Sequence, residues 1–360
     1  MINVLVVEDS AVIREFLVHI LESDPDIAVI ATARDGEEAL GMAQQRHPDV
    51  ITMDIHMPKM NGLEATRRIM ETNPIPIVIV SGSQDAGEVG TTFDAMDAGA
   101  LAILPRPAGV GHPDYEAMAQ HMVQTVKLMS EVKMVRRWAR MRNSASPSLR
   151  PDPVASALAP EKKSRLSIVG IGASTGGPSA IEMILAALPK SFPVPILIVQ
   201  HISPGFVGGL TQWLSKSSGP PVHVATHGEL PLAGHAYIAP DEFHMKIVRE
   251  GRIILTKDPP EHGLRPSVSS LFRSICEVYG REAVAGLLTG MGRDGAEELR
   301  RLKEKGAVTF AQDKDSSVVH GMPGEAARLG AATFVLPLEK IAPTLISLAD
   351  PNDLQGIRQA

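Results

Sequence analysis

Residues 167–177 read SIVGIGASTGG, an apolar run that passes directly into a glycine-rich turn. This pattern predicts a buried strand followed by a tight turn, as found in sheets whose strands alternate with helices. Ser174 stands at the apex of the turn, where small neighbours leave space around its hydroxyl. The position suits a nucleophile, because a substrate carbonyl could approach the backbone N–H groups of the turn.

Length and composition limit the kind of protein. The chain has 360 residues, of which 44% are hydrophobic, so it exceeds one ordinary core and two globular domains are expected. The formal net charge is −6 and no basic block dominates either half, which argues against a nucleic-acid partner. The single cysteine, Cys276, excludes an internal disulfide and a cysteine-cluster metal site, and we expect it to pack within a helix.

The sequence shows no signal for export or membrane insertion. Its N-terminus enters a strand pattern at Ile2 without a basic segment, and no apolar run approaches the ~20 residues that span a bilayer. We therefore expect a cytoplasmic protein that does not insert into the membrane.

The first part of the chain alternates short β-rich runs with segments of helical periodicity. Such alternation is typical of a parallel sheet covered by helices on both faces, a doubly wound α/β domain. A longer helix is predicted from Pro113 to Arg140, and its basic end complements the helix dipole. The predicted strands are Asn3–Val7, Ile27–Ala31, Val50–Met53, Ile77–Val80 and Leu101–Leu104.

A change in composition divides the chain. Residues 143–164 are rich in Ser, Pro and Ala and lack periodicity, so they are interpreted as a linker between domains at 1–142 and 165–350, with a tail at 351–360. The second domain is also predicted to be doubly wound, with a β-hairpin insertion formed by the strand patterns around Ala236–Ala239 and Lys246–Ile254. Further strands are predicted near 195–200, 222–225, 252–256, 284–289, Ala307–Ala311 and Thr333–Leu336.

Three carboxylates follow predicted strands of the first domain. Glu8 and Asp9 end the first strand and Asp54 ends the third, so all three should meet at one edge of a parallel sheet. Their mutual repulsion would be relieved by a divalent cation, and hard oxygen ligands favour Mg²⁺. Ser81 ends the fourth strand and could contact an anion at the same edge.

With these residues, positions 1–107 resemble a response-regulator receiver domain, which has a flavodoxin-like fold. The resemblance implies that Asp54 is the phosphoacceptor, that Glu8, Asp9 and Asp54 hold Mg²⁺, and that Ser81 contacts the phosphoryl group. Arg106 stands where the family has a lysine, and Ile103 stands at the usual aromatic position. Arginine keeps the positive charge but has a bulkier, planar head group.

Strand ends of the second domain offer a catalytic set. Ser174 needs a base, since a hydroxyl is a weak nucleophile at its own pKa. His201 ends the apolar strand 196–200, and Asp294 lies in a glycine-rich turn after the strand 284–288. All three should therefore lie at one sheet edge as nucleophile, base and carboxylate.

A second assignment of the base stays open. The chain order Ser, His, Asp differs from the order Ser, acid, His of the α/β-hydrolases, so the sequence around Ser174 does not indicate that fold. His320 would restore the hydrolase order with Ser174 and Asp294, although it follows no obvious strand.

The second domain resembles the chemotaxis-receptor methylesterase domain of the CheB family, whose fold is Rossmann-like. The motifs that carry the resemblance are Gly172–Gly177, Gln200-His201, Arg265–Val268 and Gly290–Gly295, in this order behind a receiver. The resemblance implies that Ser174 is the nucleophile, His201 the general base and Asp294 the group that orients the imidazole. It also implies an oxyanion and substrate site formed by Thr175, Gly176 and Met291.

The resemblance further implies a reaction and its control. The reaction is hydrolysis of glutamate γ-methyl esters on the cytoplasmic helices of methyl-accepting chemotaxis receptors, with release of methanol, and the same acyl-enzyme could deamidate receptor glutamines. A histidine kinase would donate the phosphoryl group to Asp54, and phosphorylation would open access to Ser174. No cofactor is expected for the esterase reaction, and a monomer is expected.

Two alternative functions belong to other classes. Gly170, Gly172 and Gly176 follow a strand as in a dinucleotide-binding loop, but the second strand ends in Gln200-His201 rather than in an acidic residue that could bind ribose. A receiver fused to a non-catalytic scaffold is the other alternative. The presence of Ser174, His201 and Asp294 together argues against it.

Overall fold

The structure, a computed structural model, describes residues 1–82, 86–132 and 166–350, and of residues 86–91 it describes the backbone alone. The chain divides into two units, Met1–Pro147 and Ser148–Ala360. The predicted linker at 143–164, the tail at 351–360 and the basic end of the predicted long helix lie outside the described residues. The predicted domain boundaries therefore stay predictions.

The first unit is built on a five-stranded parallel sheet. Its strand order is β2-β1-β3-β4-β5, and the central strand β3, paired with β1 and β4, is buried along its whole length. The described strands agree closely with the sequence prediction. They are β1 (Ile2–Val7), β2 (Ile27–Ala33), β3 (Val50–Met53), β4 (Ile77–Ser81) and β5 (Ala102–Pro105).

Five described helices accompany this sheet. The side chain of Asp35 accepts hydrogen bonds from the N–H groups of Glu37 and Glu38 and so caps the second helix. The last described helix begins at Tyr115 and ends at Ser130, where a turn follows at Glu131, and the predicted continuation from residue 133 to Arg140 lies outside the described residues. The helices are α1 (Ala11–Glu22), α2 (Gly36–Arg46), α3 (Gly62–Thr72), α4 (Ala86–Asp97) and α5 (Tyr115–Ser130).

The second unit contains a seven-stranded parallel sheet with the order β14-β13-β12-β6-β7-β9-β8. The chain thus winds outward from β6 in both directions, as a doubly wound sheet does, which confirms the predicted α/β class. The strands are β6 (Ile168–Ala173), β7 (Ile196–Gln200), β8 (Val222–Val224), β9 (Ala236–Ile238), β12 (Ala283–Leu287), β13 (Val308–Gln312) and β14 (Phe334–Leu336).

The described helices of this unit pack against that sheet. One helix approaches β6 closely because the strand carries glycines: a Cβ at Gly170 would lie 2.7 Å from Ile275 Cδ1, and one at Gly172 would overlap Val268. The helices are α6 (Gly177–Ala187), α7 (Val207–Ser217), α8 (Val268–Val278), α9 (Ala296–Glu304), α10 (Met322–Arg328) and α11 (Leu338–Ala349), and a 3₁₀ turn spans Gly280–Glu282.

The predicted hairpin exists, but its members differ from those expected. Strands β10 (His244–Ile247) and β11 (Ile253–Thr256) pair with each other in antiparallel fashion as a separate two-stranded sheet. Strand β9, which was expected to belong to the hairpin, lies in the main sheet, because its buried residues pair in parallel with β7 and β8. Across the described ranges, no helix combines the length and apolar character that a membrane crossing requires.

Candidate active site

Three neighbouring strands of the second unit bring Ser174, His201 and Asp294 to one edge of the sheet. Strand β6 lies between β7 and β12, and each residue follows the carboxyl end of one of these strands. The His201 N–H donates to the Ala173 carbonyl at 2.9 Å, and the Ser174 N–H donates to the Thr289 carbonyl at 3.0 Å. The backbones of the serine and the histidine are therefore adjacent.

His201 and Asp294 are joined directly. The distance between His201 Nε2 and Asp294 Oδ2 is 2.9 Å, and the side chains are only 9% and 2% exposed. Because the carboxylate accepts, Nε2 carries the proton, and a neutral ring then keeps its lone pair on Nδ1. In the described structure no hydrogen bond joins Ser174 Oγ to His201.

The carboxylate of Asp294 lies at the N-terminus of α8. Its Oδ1 accepts from Ser267 Oγ at 2.9 Å and from the Ser269 N–H at 3.0 Å, and its Oδ2 also accepts from the Val268 N–H at 2.7 Å. Burial alone would raise the pKa of Asp294, but hydrogen bonds from His201 and Ser269 outweigh it and hold the pKa well below its usual range. The group is thus kept ionised although it is buried.

The sequence alone does not reveal the role of these donors. Ser267 lies in the motif Arg265–Val268, but its hydroxyl reaches a carboxylate 27 positions further along the chain. One sequence signal for this helix start was present. Serine is a preferred N-cap residue, and Ser267 caps α8.

Glycines let the turn that carries Ser174 fit against its neighbours. Gly176 has a φ of 78°, in the left-handed region, and a Cβ there would lie 2.7 Å from the side chain of Val318. A Cβ at Gly290 would lie 2.7 Å from Ser174 Cβ. The turn that carries Ser174 and the turn after β12 are therefore in direct contact.

Buried Thr289 ties these turns to a third segment. Its hydroxyl donates to the Thr175 carbonyl at 2.9 Å and accepts from the Val319 N–H at 2.9 Å. The backbone N–H groups of all three predicted oxyanion residues donate to no described residue; these are Thr175, Gly176 and Met291. The Met291 side chain is 45% exposed.

The alternative base, His320, is close to the turns but does not bind Asp294. Its backbone forms an isolated parallel bridge with Gly290, although no regular strand precedes it. Its ring Nδ1 lies 3.5 Å from Ser317 Oγ, and the opposite edge of the ring packs near Gly324. Burial lowers the pKa of His320, reinforced by Lys314. The described contacts therefore favour His201 over His320 as the partner of the carboxylate.

The carboxylates of the first unit also meet. Ligand oxygens of Glu8, Asp9 and Asp54 lie within 4.8 Å of one another, with Glu8 and Asp54 buried and Asp9 exposed. Arg106 Nη2 donates to Glu8 Oε2 at 2.9 Å and lies 3.9 Å from Asp54 Oδ1. Ser81 is buried at the same edge, and its carbonyl accepts from the Arg106 N–H at 2.8 Å.

The charge of this acidic cluster is only partly balanced. Burial, reinforced by Asp54, raises the pKa of Glu8 to about 7 although Arg106 opposes the rise. Burial also raises the pKa of Asp54, again against Arg106. Three carboxylates whose charge Arg106 balances only in part fit a divalent cation such as Mg²⁺.

Most of the chain matches known proteins of one kind. A family model described as CheB methylesterase matches residues 169–345, and one described as response regulator receiver domain matches residues 4–112. The chain is 69% identical over 350 residues to a protein-glutamate methylesterase/protein-glutamine glutaminase of Nitrosospira multiformis, with 97% of each chain covered. A relative of the same name from Geobacter metallireducens is 56% identical, covering 97% of this chain and 99% of the relative.

A solved structure supports the fold of the second unit. The catalytic domain of the CheB methylesterase of Thermotoga maritima is 40% identical, with a TM-score of 0.50. The match covers 51% of this chain and 98% of that domain.

Replacement of Asp294 by asparagine should destabilise the protein in a pH-dependent way. The ionised carboxylate stabilises the folded state because its pKa is lower there than in the unfolded chain. That contribution is complete above the unfolded-state pKa of about 4 and is lost as the pH falls towards the folded-state value. We expect Asp294→Asn to lower the free energy of unfolding by about 3 kcal/mol at pH 7 and by less at pH 3.

The measurement is urea unfolding at both pH values, in a Trp138→Phe background so that the buried Trp213 alone reports. Asp258→Asn is the control, because that carboxylate is exposed in its ion pair with Lys246 and should contribute little. An equal cost of Asp294→Asn at pH 7 and pH 3 would contradict the assignment of an ionised, stabilising carboxylate.

Proposed function

The chain belongs to the CheB family of receiver-linked protein-glutamate methylesterases, and we propose that Ser174, His201 and Asp294 perform its reaction. The reaction is hydrolysis of glutamate methyl esters and of glutamine side-chain amides in proteins, under control of the receiver. The observation that supports these residues best is the hydrogen bond from His201 to Asp294 beside the Ser174 turn.

The proposed mechanism passes through an acyl-enzyme. Ser174 Oγ attacks the γ-carbonyl carbon of the ester while His201 Nδ1 takes its proton, and a tetrahedral intermediate forms. The proton passes to the leaving oxygen, the C–O bond breaks and methanol departs. His201 then deprotonates a water, which attacks the acyl carbon and releases the glutamate carboxylate and Ser174. With a glutamine substrate the leaving group is ammonia.

Asp294 and the backbone supply the electrostatic part. The ionised carboxylate fixes the ring with its proton on Nε2 and stabilises the imidazolium that forms during attack. The N–H groups of Thr175, Gly176 and Met291 are proposed to bind the oxyanion and the substrate, and such donors contribute about 3 kcal/mol each. None of these steps uses a cofactor.

The receiver is proposed to control this site through Asp54. Glu8, Asp9 and Asp54 would hold Mg²⁺, which neutralises charge on the phosphoryl group during its transfer to Asp54. Ser81 and Arg106 would contact that group, and Arg106 would exchange its present contact with Glu8 for it. Phosphorylation would then shift the population toward a form with open access to Ser174.

The partners follow from the two units. A receiver with a methylesterase implies a chemosensory kinase and a receptor in general. We propose that the donor is a histidine kinase and that the substrates lie on the cytoplasmic helices of methyl-accepting chemotaxis receptors. The protein would act in the cytoplasm as a monomer. A nucleotide-binding module or a non-catalytic scaffold would leave the contact between His201 and Asp294 unexplained.

Separate replacement of the two candidate bases distinguishes them. We expect His201→Ala to lower kcat for methanol release from methylated receptor by on the order of 10⁴-fold, since the serine then has no base. His320→Ala should change kcat little, because that ring does not contact Asp294. Loss of activity in His320→Ala with activity kept in His201→Ala would reverse the assignment.

Control by the receiver is tested with the full chain. A small-molecule phosphodonor with Mg²⁺ should raise the rate of methanol release by about 10-fold, a usual size for coupling between sites. Asp54→Asn should abolish the increase but keep the basal rate, and chelation of Mg²⁺ should do the same. An increase that persists in Asp54→Asn would show that Asp54 is not the phosphoacceptor.

A further inference from the structure

We propose that Gln200 is a positioning residue that locks the backbones of the nucleophile and the base together. Gln200 is the last residue of β7 and is only 2% exposed. Its side-chain Nε2 donates to the Ser174 carbonyl and to the His201 carbonyl, both at 2.8 Å. One carboxamide thus bridges the two turns that carry the proposed catalytic groups, and the inference rests on their proposed roles.

The orientation of this carboxamide is determined by its partners. Carbonyl oxygens only accept, so the two groups that it faces require two N–H donors, which is what one amide NH₂ provides. A flipped amide would place Oε1 against two carbonyl oxygens and lose both bonds. The assignment of Nε2 and Oε1 therefore follows from the chemistry of the site.

The bridge leaves the other end of the amide without a partner. Gln200 Oε1 is buried and has no hydrogen-bond partner among the described residues. A buried acceptor of this kind costs free energy, and native structures contain few of them. Its presence is explained if the protein gains more from the two bonds of Nε2 than it loses at Oε1.

Neighbouring residues make room for the bridge. Gly177 begins α6, and a Cβ there would overlap Gln200 Oε1. The Gly177 N–H also donates to the Ser174 carbonyl, at 2.8 Å, so that oxygen accepts two hydrogen bonds. These two bonds, and the bond from the Ser174 N–H to the Thr289 carbonyl, hold the peptide groups on both sides of the serine. The freedom that remains is mainly rotation of the serine side chain.

The kinetic consequence distinguishes positioning from binding. The described contacts of the Gln200 amide are with the backbone, so its loss should leave substrate affinity nearly unchanged. Displacement of the serine relative to the base by a fraction of an ångström to 1 Å lowers the chemical rate by up to about 100-fold. Loss of the bridge should therefore lower kcat and kcat/KM together.

The test compares Gln200→Met and Gln200→Glu with Thr309→Val in the full chain. Methionine keeps the length of the side chain but donates no hydrogen bond. Thr309 is a matched control, because its buried hydroxyl also makes two hydrogen bonds to backbone groups, of Ala331 and Thr333, near the start of β13. We expect kcat for methanol release to fall by about 100-fold in Gln200→Met with KM nearly unchanged, and to stay near the wild-type value in Thr309→Val.

Gln200→Glu adds a second measurement, the pH dependence of kcat, which a purely structural role of Gln200 would not change. The carboxylate donates to neither carbonyl, whereas its protonated form has one O–H donor. The ratio of its kcat to that of wild type should therefore rise as the pH is lowered, while the ratio for Gln200→Met stays flat. If Gln200→Met does not fold, the pH profile of Gln200→Glu alone tests the positioning role.

The outcomes separate the inference from the proposed function. A Gln200→Met kcat close to that of Thr309→Val, or a flat pH ratio for Gln200→Glu, would overturn the positioning role while Ser174→Ala remains inactive. Methanol release at the wild-type rate by Ser174→Ala would instead overturn the proposed function itself.

Discussion

The hydrogen bond between His201 Nε2 and Asp294 Oδ2 is the interaction on which the site depends. It selects Nε2 as the ring nitrogen that carries the proton and leaves the lone pair on Nδ1, as the proposed role of His201 as a base requires. The bond is possible because the start of α8 supplies donors that keep a buried carboxylate ionised. Glycines in β6 let that helix approach the sheet closely enough to do so. The packing of α8 on β6 thus determines that the carboxylate of Asp294, which follows another strand, stays ionised.

Much of this arrangement could be predicted from the sequence, because strand ends of a parallel sheet share one edge. That rule was enough to bring Ser174, His201 and Asp294 together, and likewise Glu8, Asp9 and Asp54. It could not assign the donors around Asp294, since their contacts join segments far apart in the chain. Gln200 belongs to one of the motifs, but the sequence assigned it no role, because its amide contacts depend on the positions of two carbonyl groups.

The remaining differences have similar causes. Strand β9 was assigned to the hairpin by its apolar run, but an apolar run does not specify which strand it pairs with. In the structure β9 pairs within the main sheet. Arg106 was expected to contact a phosphoryl group, and its contact with Glu8 joins residues 98 positions apart in the chain. In both cases a local pattern identified the element correctly, and long-range geometry determined its neighbour.

The account is tested most directly by a serine-directed organophosphonate, followed by mass spectrometry of the digested full chain. Wild-type protein should carry one adduct, on Ser174, and the rate of labelling should fall sharply in His201→Ala. This result would show that the hydroxyl at the end of β6 is activated by the ring at the end of β7. An adduct on another residue, or an equal labelling rate without His201, would contradict it.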